Sequence, residues 1–191
     1  MGSRQGNHAI LNYMARPPRQ HVIPGLIAAL TAAFIASLWP SFSGASGPAV
    51  EVGDQAPAFR LMSQGGRAIQ LSDFAGKFVV LNFWATWCPP CIQELPSLNQ
   101  FHSRFQDRGV VVLGVSVDED EQAYRQLVQK AGVEFLTVRD PGRKVSHQYG
   151  TFKYPETYFI DRQGKVVQKV IGQADWSEAQ MVQYMEQLLR G

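Results

Sequence analysis

Cysteine and histidine are scarce in this chain: two and four, respectively, among 191 residues. A zinc site normally takes four nitrogen or sulfur ligands, so Cys88 and Cys91 have no second cysteine pair to complete one. The histidines do not supply it either, because His8 and His21 lie far upstream while His102 and His147 stand alone. Acids are missing before Glu51, and no charge of either sign occurs from Val22 to Trp39. Of the 18 lysines and arginines only Arg4, Arg16 and Arg19 precede Glu51, which leaves 15 against 16 acids in the remainder. The formal charge of +2 therefore hides a near-neutral C-terminal part, with no basic face to attract nucleic acid. No internal repeat is present, and no segment reads as a binder of NADPH or flavin.

The uncharged run VIPGLIAALTAAFIASLW, residues 22–39, reaches the lower edge of a membrane-spanning helix, roughly 17 to 25 apolar residues. It exceeds the apolar core of a cleaved signal peptide, about 7 to 15 residues. An uncleaved signal-anchor is expected, with Ser43-Gly44-Ala45 as a cleavage site the alternative. Arginines before the segment and acids after it place the C-terminal part outside the cytoplasm, where a lone cysteine pair tends to become a disulfide. The expected organisation is a basic cytoplasmic tail (1–21), a single-pass anchor in the inner membrane (22–39), a Ser/Gly/Pro-rich tether (40–52) and a periplasmic domain (53–191).

Within that domain, FRLM (59–62) and IQL (69–71) flank Gly65-Gly66, a hairpin signal. FVVLNF (78–83) and VVVLGVSV (110–117) are nearly continuous apolar runs, as expected of strands buried on both faces. Ile92, Leu95, Leu98, Phe101 and Phe105 recur at near-helical spacing, and Tyr124, Leu127, Val128 and Ala131 mark a second helix. A third strand of the buried kind is expected over 135–138, a short helix up to Tyr149, and an antiparallel hairpin over 156–160 and 166–171. Asp175 and Glu178 predict the cap of a final helix with Trp176, Ala179, Val182, Met185 and Leu189 on its apolar face. Strands alternating with helices imply an α/β domain around a parallel core, closed by a hairpin.

Cys88 then falls at the end of a buried strand and the start of a helix, where free N–H groups and the helix dipole favour a thiolate. The thiolate is the form that attacks disulfides. Cys91, one turn further on, is placed to close a mixed disulfide and release its product. A structural staple is the bland alternative, but so short a loop stabilises by only about 2 kcal/mol in the chain-entropy model.

The stretch FWATWCPPCIQELP (83–96), together with YPETYFIDRQGKVV (154–167), resembles the TlpA/ResA/CcmG branch of the thioredoxin family, membrane-tethered thiol–disulfide oxidoreductases of the extracytoplasmic space. The resemblance covers about residues 50–190. It implies a thioredoxin fold, a central mixed sheet flanked by helices, with an N-terminal β-hairpin and a central insertion over 118–154. No cofactor beyond the redox-active Cys88–Cys91 pair is implied. The implied partners are client disulfides, apocytochrome c among them, and an upstream membrane thiol reductase.

The same resemblance makes Pro155 a cis-proline, which would turn the backbone of Tyr154 toward Cys88 and offer it to an incoming peptide. Asn82 stands where thioredoxins carry a buried aspartate, and an amide cannot take the proton of the inner cysteine. Glu94, one turn beyond Cys91, is the expected replacement, with its pKa raised by burial under the insertion. Trp87 is expected to cover the active site and Glu156 to give the substrate groove an acidic rim; Trp84 is expected in the core. Asp118-Glu-Asp-Glu121 reads as acids opening a helix rather than a cation site. Pro89 and Pro90 remove N–H donors from the first turn, which predicts a reductant. The competing readings are a general disulfide oxidase or isomerase, a thiol peroxidase on the same fold, and a copper-binding assembly factor. A peroxidase needs a Thr and an Arg around a lone cysteine, and a copper factor typically spaces its cysteines by three residues.

Overall fold

The computed structural model describes residues 49–63 and 65–190. The expected tail, membrane anchor and most of the tether lie outside the described residues. Among the described residues no helix is long and apolar enough to cross a membrane.

One seven-stranded mixed sheet organises the domain, in the order β2-β1-β5-β4-β3-β6-β7. Its strands are β1 (Arg60–Ser63), β2 (Ala68–Gln70), β3 (Phe78–Trp84), β4 (Val110–Ser116), β5 (Leu136–Arg139), β6 (Glu156–Ile160) and β7 (Val166–Ile171). The helices are α1 (Pro89–Phe105), α2 (Glu121–Lys130), α3 (Lys144–Gln148) and α4 (Ala179–Arg190). Strands β3, β4 and β5 run parallel, and β6 returns antiparallel to β3. β3 is buried along its whole length, as its nearly continuous apolar sequence requires when both faces are covered.

Alternation along β3 divides the core. Val79, Leu81 and Phe83 face one layer with Val145, Tyr149 and Tyr158. Phe78 and Val80 face the other, with Leu95, Leu98, Phe101 and Phe105 of α1 and Met185 of α4. Burying each such side chain contributes about 1.5–3 kcal/mol. A third cluster, Trp84, Ala85, Val117 and Tyr124, surrounds Cys88 and Cys91. Gly114 makes room for it: a Cβ there would lie 2.9 Å from the Phe135 ring and 3.0 Å from Trp84 Nε1.

Three expectations change. β5 is half-buried rather than fully covered; it lies between β4 and β1, on the side of the sheet that ends in the short β1–β2 hairpin. Residues 49–52, expected in the tether, run against the domain: Val50 is buried and its N–H donates to the Tyr149 carbonyl at 3.1 Å. The final helix starts at Ala179, not at an Asp175 cap. Asp175 instead closes a tight turn by accepting from Ser177 N–H at 2.9 Å, and the turn drives Trp176, fully buried, between Phe101 and Phe159.

Candidate active site

Cys88 is the N-cap of α1, with an extended backbone that ends the strand and begins the helix. Pro89 and Pro90 occupy the first two helical positions and bring no N–H. The remaining donor in reach is Cys91 N–H, 3.3 Å from Cys88 Sγ. The two cysteines are joined as a disulfide; Cys88 is 6% exposed and Cys91 fully buried. Access to the pair is therefore through Cys88.

The Tyr154–Pro155 bond is cis. The Tyr154 carbonyl lies 3.4 Å from Cys88 Sγ, a distance at which a reduced thiol can donate to it. Trp87 is exposed, and its ring meets Tyr154 edge-on with centroids 5.8 Å apart. It stands beside Cys88 as a wall rather than a lid. The loop carrying it is anchored by Asp118, buried at 2% exposure. That carboxylate accepts from Thr86 N–H at 3.0 and 3.1 Å, from Thr86 Oγ1 at 2.7 Å and from Ser116 Oγ at 2.6 Å. Sequence reasoning grouped Asp118 with the helix-opening acids, a role that fits Asp120, which caps α2, and Glu121. Its position two residues past the end of the buried strand β4 was the available signal.

Behind the pair, Glu94 is 1% exposed. It accepts from Asn82 Nδ2 at 2.8 Å and from Ala174 N–H at 3.2 Å. Burial pushes its carboxyl up to about 6, against the hydrogen bonds from Ala174 and Asn82 and a smaller opposing effect of the nearby Trp176 indole, which falls short of strict hydrogen-bond geometry. The contacts come from β3 and from the segment before α4, not from the central insertion expected to cover it. Asn82 also donates to Thr157 Oγ1 at 2.9 Å, while its Oδ1 is buried without a partner. The carboxyl, sitting one turn beyond Cys91, is in a range where it can exchange a proton near neutral pH.

Glu156 is not an acidic rim. It is 4% exposed and faces the opposite side of the sheet from Asn82, where Lys169 Nζ lies 3.0 Å away and Tyr158 OH donates at 2.9 Å. A carboxylate on a strand between two neighbours needs such a partner, and Lys169 on β7 supplies it from a diagonal position.

A parallel-core sheet with a returning hairpin, and a cysteine pair whose outer member faces the carbonyl before a cis-proline, define the class of thioredoxin-like proteins that exchange dithiols for disulfides. Within that class, the AhpC/TSA family model matches residues 52–169, and the chain belongs to that family. It is 36% identical over 124 residues to the thiol-disulfide oxidoreductase ResA of Bacillus thuringiensis, covering 65% of this chain and 72% of the relative. The ResA of Bacillus subtilis is 37% identical over 142 residues, 74% of this chain and 78% of the relative. A crystal structure described as a thiol:disulfide interchange protein DsbE from Chlorobium tepidum superimposes with a TM-score of 0.69 at 31% identity, covering 74% of this chain and 99% of that one.

Proposed function

We propose that this thiol–disulfide oxidoreductase works as a reductase of disulfides in exported client proteins, held at the outer side of the cytoplasmic membrane by residues 22–39. The observation that carries the reading is the setting of Cys88: a helix-capping sulfur with one N–H donor from the helix, 3.4 Å from the Tyr154 carbonyl. Few donors stabilise the thiolate weakly, and a weakly stabilised reduced form makes a reductant.

In the forward reaction the Cys88 thiolate attacks one sulfur of the client disulfide. The S–S bond breaks, and the second client sulfur leaves as a thiolate that takes up a proton. Cys91 then gives its proton to Glu94 and attacks Cys88 Sγ, expelling the first client sulfur. Two electrons have passed from the protein dithiol to the client, and the Cys88–Cys91 disulfide remains. An upstream membrane thiol reductase must return those electrons, with no dissociable cofactor on this chain. Trp87, Tyr154 and Pro155 form the surface against which the client strand lies, the backbone of Tyr154 pairing with it. Glu156 acts from behind, fixing the strand that follows the proline. Apocytochrome c with an oxidised haem-attachment motif is the client the family resemblance favours.

The test is trapping. The reduced full chain carrying Cys91→Ala should accumulate a mixed disulfide with an oxidised peptide client through Cys88, and Cys88→Ala should form none. Absence of the adduct with Cys91→Ala would overturn the assignment.

A further inference from the structure

With Glu156 buried and paired, the rim around Cys88 has a different character from an acidic one. Its exposed large side chain is aromatic, Trp87 at 55% exposure, against Tyr154. Its charges are basic. The Arg143 guanidinium lies over the Trp87 ring, 5.8 Å from the centroid, and Lys144 and Lys153, both exposed, flank it and Tyr154 in sequence. No acid occurs in the first turn of α1. Acids of the neighbouring loop are largely engaged: Asp118 with Thr86, Asp120 in the α2 cap, Glu121 with Arg125 and Arg139. Glu119 is exposed but forms no ion pair with Arg143.

Arg143 is unusual in two independent ways. Among the described residues it is the non-glycine residue with a left-handed backbone, at φ 53°, a conformation uncommon for residues with a Cβ. It is held there from both sides. Its N–H donates to Asp140 O at 2.9 Å, and its carbonyl accepts from His147 N–H at 2.9 Å and Ser146 Oγ at 3.1 Å. Asp140, 3% exposed, fixes the same turn by accepting from Lys144 N–H and Ser146 N–H. Second, its guanidinium has no hydrogen bond or ion pair among the described residues, and its Nε is buried without a partner. Arg104, Arg108, Arg125 and Arg139 pair with a glutamate, and the other arginines without an ion pair, Arg60, Arg67, Arg162 and Arg190, are exposed to water, whereas Arg143 is half-buried. A guanidinium stacked on an aromatic ring with its N–H edge unused is a ready receptor for a carboxylate, which it can bind through two parallel hydrogen bonds.

We propose that Arg143 is a specificity-determining residue of this site, receiving an Asp or Glu carboxylate that the client carries within a residue or two of its disulfide. Trp87, between Arg143 and Tyr154, is then the shared wall of an anion subsite and the cysteine subsite. This rests on the reading of Cys88 as the attacking cysteine, and it makes the protein selective for disulfides with acidic neighbours.

Three disulfide peptides, identical except for Glu, Gln or Lys beside one cysteine, test it on the reduced full chain in detergent micelles. The readout is the ratio of second-order reduction rates. The wild type should reduce the Glu peptide about two- to fivefold faster than the Gln peptide, the range expected of a partly exposed ion pair, and the Lys peptide slowest. The preference should shrink at high salt. Arg143→Gln should bring the Glu-to-Gln ratio to about one. Arg143→Gly, which suits the left-handed backbone and guards against misfolding, should do the same, and Arg143→Lys should keep the order Glu over Lys. Equal wild-type rates on all three peptides, or a Glu preference that survives in Arg143→Gln or Arg143→Gly, would overturn the proposal while leaving the disulfide chemistry standing. If the wild type reduced none of the peptides, the reductase reading itself would fall, and the proposal with it.

Discussion

Replacing Glu94 by Gln should make the stability of this protein less dependent on pH, and the size of the effect follows from the geometry. A carboxyl that titrates near 4.5 when exposed titrates at about 6 in the fold, chiefly because it is buried. Between those values the folded protein holds a proton that the unfolded chain has released. Stability therefore falls as pH rises from 4.5 through 6 and is level above, a loss of about 2 kcal/mol from this group. Glutamine has nearly the same shape and no charge to bury. It keeps one acceptor for Asn82 or Ala174, and a flip of the Asn82 amide would turn its unpartnered oxygen toward the new NH2 group. Whatever Glu94→Gln costs near pH 4, it should cost about 2 kcal/mol less near pH 7. The assay is denaturant unfolding of the oxidised full chain, wild type and variant side by side, at several pH values. Other titrating groups cancel in the difference. A difference that stays constant across this range would refute the burial argument. In the reaction, the same variant should slow release of the mixed disulfide by about a hundredfold at neutral pH and leave the first attack by Cys88 much less affected.

Lys169→Met strips the buried Glu156 of its cation, leaving Tyr158 OH as its remaining hydrogen-bond donor. It should lower unfolding stability by about 3–5 kcal/mol, with most of that recovered in the double variant carrying Glu156→Gln as well; a loss under about 1 kcal/mol would show that the pair is well hydrated. Pro90→Ala restores an N–H at the second position of α1, aimed at the capping sulfur. Measured in dithiol buffers, its reduction potential should rise by about 10–30 mV. A fall would contradict the donor-counting argument for a reductant.

Local pattern carried the sequence reading a long way, and its failures have a common cause. FVVLNF and VVVLGVSV could be read as central strands because burial on both faces leaves few polar positions, and β3 and β4 are such strands. The placement of Cys88 followed directly, since the strand had to end and the helix begin around it. Glu94 was legible as a neighbour of Cys91 from helical spacing alone. Its cover was not, because Ala174 and Trp176 arrive from about 80 residues further along the chain, and no local signal encodes that contact. Glu156 was misread as a rim because it follows the proline. The sheet order places it inside, and only the β6–β7 register, with Tyr158 opposite Lys169, reveals its partner. The supposed cap at Asp175 failed for a related reason: burying Trp176 between two aromatic rings outweighs three more residues of helix. Arg143 carried no sequence signal, since its interest lies in a backbone angle and a ring-stacked position on Trp87.

The central claim is that the Cys88–Cys91 pair gives electrons to client disulfides rather than taking them. Its most direct test is the reduction potential of that pair in the full chain, equilibrated in dithiothreitol and glutathione buffers and followed by tryptophan fluorescence. A value near or below thioredoxin's, about −270 mV, is predicted; a value near that of DsbA, about −120 mV, would mean the protein inserts disulfides and would contradict the account.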